Sequence, residues 1–92
     1  SDPLLLRGSM NDWGTMQVMT ATDGGFVTEV MLAAGDYEFK LGSADWRTAD
    51  LGADGLLPVA TDGKPMALLP RGANISLKIT EAGKYRFVLS LD

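Results

Sequence analysis

The chain has 92 residues, a formal net charge of −4 and neither cysteine nor histidine. A chain of this length is enough for one domain. The absence of cysteine excludes disulfides and thiolate chemistry, and the absence of histidine excludes the usual general base near neutral pH. The eight basic residues are scattered over an acidic chain, whereas nucleic acids and anionic membranes need clustered Lys and Arg. No apolar run approaches the ~20 residues that span a bilayer, so neither nucleic acid nor membrane is an expected partner.

Apolar residues recur with a period of two along most of the chain, and this is the period of β-strands. The clearest run, 37–41, places Tyr37, Phe39 and Leu41 on one face and Glu38 and Lys40 on the other. Strands are predicted at 4–7, 17–21, 26–32, 37–41, 75–79 and 85–91, with weaker candidates at 56–60 and 66–69.

Short glycine-containing clusters separate these runs at 23–25, 34–36, 62–65, 70–72 and 81–84, and such clusters are typical of turns. No segment shows the periodicity and caps of a helix. The segment 42–55 is long and poor in strand signals, which predicts a structured loop of the kind that often carries binding residues. Short strands at this spacing predict one all-β antiparallel domain over residues 1–92, either a sandwich or a barrel.

Both tryptophans lie in polar, glycine-rich segments rather than in the strand runs. Trp13 is surrounded by small and polar residues in 8–14, and Trp46 lies in the similar segment 42–47. An exposed indole is a flat apolar plate that stacks on the C–H face of a pyranose ring and leaves the sugar hydroxyls free to hydrogen-bond. By analogy with base stacking, each plate contributes ~1–3 kcal/mol. The alternative is that either tryptophan caps the edge of the core, since Trp is highly buried on average.

Lys40 and Asn74 are the polar residues that fit a sugar ligand best. Lys40 is predicted on the outer face, six residues before Trp46, so both can reach one surface, and its ammonium donates to hydroxyls. The amide of Asn74 both donates and accepts, which suits a vicinal diol. Each has a plainer alternative: Lys40 as a solvated lysine paired with Glu38 or Glu29, and Asn74 as a turn residue.

The twelve carboxylates permit a glycosidase hypothesis, because glycoside hydrolysis uses a pair of carboxyl groups. Most of them fall in turns, where Asp commonly binds the backbone, and no pair is set in an apolar segment. The segment 50–55 lacks the ligand spacing and closing Glu of a calcium loop. No metal site is therefore predicted.

Four segments, in order along the chain, resemble the signatures of starch- and glycogen-binding modules. They are 6–13 (LRGSMNDW), 35–46 (GDYEFK followed by ADW), 72–75 (GANI) and 83–87 (GKYRF). Such modules accompany the catalytic domains of pullulanases and α-amylases and form the glycogen-binding domain of the AMP-activated protein kinase β subunit. The run 37–46 is most similar to the modules of bacterial pullulanases and raw-starch α-amylases. The segment 50–65 departs from the family pattern because it is longer and rich in glycine.

The resemblance implies an immunoglobulin-like antiparallel sandwich of about seven to eight strands. It also implies two tryptophans that flank a glucan and a lysine and an asparagine that bind its hydroxyls; position by position these are Trp13, Trp46, Lys40 and Asn74. It implies no catalytic residue, metal or cofactor. The implied ligands are starch, glycogen, malto-oligosaccharides or cyclodextrin.

The hypothesis from the sequence is a non-catalytic module that holds a covalently attached amylolytic enzyme on starch-type α-glucan. The chain begins at Ser1 without an initiator Met, so we expect a piece of a longer protein. The resemblance implies that this protein is a secreted bacterial hydrolase of the α-amylase family. Two alternatives stay open. The domain is a structural spacer of a multidomain glycosidase without its own sugar site, or it is itself a small glycosidase.

Overall fold

The computed structural model describes residues 2–54, 59–60 and 63–91, and in this part of the chain nearly all regular structure is β. The only helical element there is a single 3-10 turn, Ser9–Asn11. The strands are β1 (Leu5–Gly8), β2 (Thr20–Thr22), β3 (Gly25–Leu32), β4 (Gly35–Gly42), β5 (Asp50–Ala53), β6 (Val59–Ala60), β7 (Leu68–Pro70), β8 (Ile75–Ile79) and β9 (Gly83–Ser90). No helix in the described residues is long and apolar enough to cross a membrane.

One predicted loop is wrong, because 42–55 contains the strand β5. This strand lacks β-branched and aromatic residues, which removes the usual strand signal. Gly52 explains its composition: a Cβ at this position would lie 2.3 Å from the carbonyl oxygen of Ala73, so the neighbouring backbone approaches too closely for a side chain. The predicted strand at 17–21 is also shorter than expected, since β2 begins at Thr20. Residues 56–58 of the weak candidate at 56–60 lie outside the described residues.

The strands form two sheets. Six strands make the larger sheet in the order β6-β8-β4-β5-β7, with β1 also paired to β4, and three make the smaller sheet in the order β2-β3-β9. All the pairings are antiparallel except β6 with β8. The all-β fold class is confirmed, with nine strands in the described residues where seven to eight were expected.

The core lies between the two sheets and is built from the inward residues of the alternating runs. Phe39 of β4 meets Phe87 of β9 edge to face, with ring centroids 5.1 Å apart. Leu6, Leu41 and Ile75 are buried beside them, and burial of each such side chain stabilises the fold by about 1.5–3 kcal/mol. Because Phe39 and Leu41 point inward, the intervening side chains of β4 point to the outer face of the larger sheet.

Candidate functional site

The candidate site starts from two basic side chains on the outer face of the larger sheet. In the pairing of β1 with β4, Arg7 lies directly opposite Lys40, and side chains that are directly opposite project from the same face. Gly42, two residues further along β4, belongs to the same face. This stretch therefore presents two cations beside a position that has no side chain.

The indole of Trp46 lies against this stretch. The guanidinium carbon of Arg7 is 4.3 Å from the ring centroid, and Nζ of Lys40 is 5.4 Å from it, both within the range of a cation–π contact. A Cβ on Gly42 would lie 2.5 Å from the ring carbons Cε3 and Cζ3, so the indole occupies the space that a side chain would need. Trp46 as a whole is half-buried.

The loop that carries Trp46 is closed by a buried serine. Ser43 forms two hydrogen bonds with the backbone of Ala49. The Ser43 N–H donates to the Ala49 carbonyl at 2.9 Å, and the Ser43 hydroxyl accepts from the Ala49 N–H at 3.2 Å. Inside the loop the carboxylate of Asp45 accepts from the Arg47 N–H at 2.9 Å and from the Ser43 hydroxyl at 3.0 Å. These bonds, that from the Arg47 N–H foremost, lower the pKa of the Asp45 carboxyl. The loop holds Trp46 in a left-handed backbone conformation, with φ 62°.

The loop that carries Trp13 is shaped by Asn11. Its side chain accepts from the Gly8 N–H at 3.0 Å and donates to the Leu6 carbonyl at 2.9 Å, so it ties the 3-10 turn back to β1. The chain then passes through two left-handed residues, Asp12 and Trp13, with φ 54° and 57°. This turn brings the half-buried Trp13 indole beside that of Trp46.

The two indoles contact each other directly. Their ring centroids are 6.3 Å apart and the ring planes are inclined by 53°, which is within the distance range of a paired aromatic contact. No sugar ring fits between two rings that already touch. A ligand has to lie along their outer surfaces, so Trp13 and Trp46 form one bent apolar surface, here called the tryptophan platform.

The polar residues predicted from the sequence lie on the same outer face, and each has a protein partner. Nζ of Lys40 forms an ion pair with Oδ1 of Asp50 at 2.5 Å, and both side chains are largely buried. The partner is thus neither Glu38 nor Glu29, as the plainer hypothesis had it, and Lys40 is not a solvated lysine. The amide of Asn74 donates to Oε1 of Glu38 at 3.0 Å.

The structure brings all four predicted residues to one face, although it does so by different routes. Trp13, Trp46 and Lys40 are linked through direct contacts with one another. Asn74 is linked through Glu38, which lies two residues before Lys40 on β4 and therefore about 6.6 Å along the strand. No group of three or more acidic residues that could hold a metal ion occurs in the described ranges.

Sequence reasoning missed Arg7, whose guanidinium reaches both tryptophan loops. It donates to the Trp13 carbonyl from Nε at 3.0 Å and from Nη2 at 2.6 Å, and from Nη1 to the carbonyls of Ser43 and Ala44 at 3.1 and 2.9 Å. Its place one residue before the glycine-rich loop was the available signal. The register that sets it opposite Lys40 cannot be read from local alternation.

No family model, curated protein or solved structure matches this chain in the comparisons with known proteins.

Proposed function

We propose that the protein is a non-catalytic module that binds starch-type α-glucans and keeps an attached amylolytic enzyme on its substrate. One observation carries this proposal: both tryptophans of the chain are partly exposed and contact each other in one platform. Lys40 lies 5.4 Å from one of the rings, on the face that also carries Asn74.

The shape of the platform suits a curved chain. Consecutive glucose units of an α-1,4-linked chain turn relative to one another, whereas those of a β-1,4-linked chain lie nearly flat. Two indole planes inclined by 53° can each take one glucose ring of a curved chain. Stacking on each ring contributes ~1–3 kcal/mol, and an ammonium and an amide beside the platform bind hydroxyls.

Such a site binds weakly on its own. Two stacking contacts and a few hydrogen bonds give a Kd on the order of 10 μM to 1 mM, or roughly −4 to −7 kcal/mol. This suffices for a tethering role, because attachment raises the effective concentration of the joined enzyme at an insoluble surface. We propose accordingly that the module belongs to a secreted bacterial hydrolase, beside its catalytic domain.

A glycosidase activity has less support from the described residues. Two concave regions of the described residues are a groove of about 530 Å³ on the outer face of the smaller sheet and one of about 480 Å³ between the sheets. Each is lined by one carboxylate, Glu29 or Asp2, and neither includes a tryptophan. A hydrolase site needs two carboxyl groups that flank the bond to be cut.

The test is depletion of the purified protein by granular starch, with cellulose as the control polymer and β-cyclodextrin as the soluble competitor. We expect depletion by starch alone, reversed by β-cyclodextrin. Trp46→Ala and Trp13→Ala should abolish it without unfolding the domain. Val88→Ala is the matched control, since it removes an exposed apolar side chain from the other sheet.

Three results would contradict the proposal in distinct ways. If starch does not deplete the wild-type protein and maltoheptaose does not quench its tryptophan fluorescence, the domain is a spacer. Release of reducing sugar from soluble starch would make it a glycosidase. Unfolding of Trp46→Ala would place that tryptophan in the core rather than in a site.

A further inference from the structure

Arg7 contacts both tryptophan loops, yet its own side chain has no carboxylate partner within 4 Å among the described residues. We infer that Arg7 is a positioning residue, which joins the two loops and so sets the distance and inclination of Trp13 and Trp46. Its effect on affinity rests on the proposed glucan binding. Its effect on the tryptophan pair does not.

The first observation is the set of carbonyl groups that Arg7 binds. Four donor contacts reach three carbonyls, one in the Trp13 loop and two in the Trp46 loop. A guanidinium has five N–H donors in a rigid plane, so one side chain ties together two segments that lie 30 residues apart in sequence. A lysine ammonium, which is a compact point donor, cannot reproduce this fork.

The second observation is the stacking of the same guanidinium on Trp46, at 4.3 Å from the ring centroid. The plane that fixes the Trp13 carbonyl thus also supports the Trp46 ring. A change in the position of Arg7 moves both halves of the platform together.

The third observation is that both tryptophans have a left-handed backbone, with φ 57° and 62°. A bulky residue in this conformation is strained by about 1–3 kcal/mol and keeps it only where its surroundings enforce it. Arg7 supplies an external restraint on each loop next to the strained residue. Without Arg7, the two loops are expected to relax independently and the rings to separate.

The consequence for binding follows from preorganisation. A ligand that meets a formed platform does not have to order two large side chains, whereas one that meets two independent loops does. Loss of Arg7 should therefore weaken glucan binding about tenfold while the sandwich core, which Arg7 does not enter, stays folded.

The experiment compares Arg7→Met and Arg7→Lys with the wild type, and with Arg86→Met and Arg86→Lys as matched controls. Arg86 is an exposed arginine of β9, on the other sheet, paired with Glu29. Circular dichroism reports the tryptophan pair directly, because two indoles 6.3 Å apart give an exciton couplet in the far ultraviolet. Trp46→Phe identifies that couplet. Titration with β-cyclodextrin measures affinity.

We expect both Arg7 variants to lose at least half of the couplet and to bind β-cyclodextrin about tenfold more weakly, while both Arg86 variants match the wild type. An affinity loss with an unchanged couplet would mean that Arg7 touches the sugar itself, which overturns positioning. An Arg7→Lys protein that keeps couplet and affinity would overturn the role of the guanidinium fork. If Arg7→Met does not fold, Arg7→Lys decides, since it keeps the charge and most of the length.

A wild-type protein that binds no glucan would refute the proposed function alone. In that case the couplet comparison between the Arg7 and Arg86 variants still decides whether Arg7 positions the rings.

Discussion

Gly42→Ala is the smallest change that tests the tryptophan platform. A Cβ at this position would lie 2.5 Å from Cε3 and Cζ3 of Trp46 and 2.9 Å from the carbonyl oxygen of Ala49. The backbone of Gly42 is not left-handed, so alanine acts through these two contacts and not through the φ angle of residue 42. The core on the other face of β4 is left unchanged, because the added methyl group points outward.

The size of the effect follows from contact distances. Non-bonded carbon atoms rest about 3.5–4.0 Å apart, so the indole must move by about 1–1.5 Å. This movement changes the position of the ring relative to Arg7 and Trp13. If one stacking contact of ~1–3 kcal/mol is lost, the Kd for a glucan rises between about fivefold and about 150-fold.

The assay is isothermal titration with β-cyclodextrin, together with the tryptophan emission spectrum and the thermal midpoint. The matched control is Gly83→Ala, because a Cβ at Gly83 in β9 meets no atom within 4 Å. We expect weaker binding and a shifted emission spectrum for Gly42→Ala only. A Gly42→Ala protein with the wild-type Kd and emission would refute the argument that the seating of Trp46 on β4 shapes the site.

Three further predictions concern the surroundings of the platform. Lys40→Met leaves the largely buried Asp50 without its ion-pair partner. This should lower the free energy of unfolding, measured with urea, by about 1–3 kcal/mol. As the control, Lys84→Met removes the exposed 4.0 Å pair with Glu29 and should change the free energy of unfolding by less than about 1 kcal/mol. The folded-state pKa of Asp45 is lowered, so the stabilising effect of its carboxylate is present above the ordinary Asp pKa of about 3.9 and is lost as pH falls through the lowered value. Asp45→Asn should weaken the loop at neutral pH and remove this part of the acid dependence of stability. Unfolding measured at a series of pH values checks both effects. Trp13→Gly should be about 1 kcal/mol more stable in urea unfolding than Trp13→Ala, because only glycine adopts the left-handed backbone without strain. The reverse order of stability would show that the backbone at this position is not strained.

The strands could be predicted well wherever side chains alternate. The strand predicted at 75–79 is β8 with the same bounds, and the inward direction of Phe39 and Leu41 is confirmed by their burial. A period of two is unambiguous over five or more residues. The strand β5 could not be predicted, because Gly52 is present for a close backbone approach that only the folded chain reveals.

The site could be predicted only as far as residue types allow. Trp13, Trp46, Lys40 and Asn74 were singled out by their chemistry and by resemblance, and the fold places them on one face. Their partners could not be predicted, since the pairing of Lys40 with Asp50 depends on the short ladder between β4 and β5. The same limit applies to Arg7, whose importance arises from the register of β1 against β4.

The backbone of the two tryptophans bears on the choice between a binding module and a spacer. Left-handed residues other than glycine are uncommon, and Asp12 and Arg71 show that this chain also uses them in ordinary turns. Asp tolerates the conformation well, whereas an aromatic residue does so at a cost of about 1–3 kcal/mol. Both tryptophans of the chain bear that cost, and both are only half-buried. For a spacer this arrangement only destabilises the fold, whereas for a glucan-binding module it presents the stacking surface.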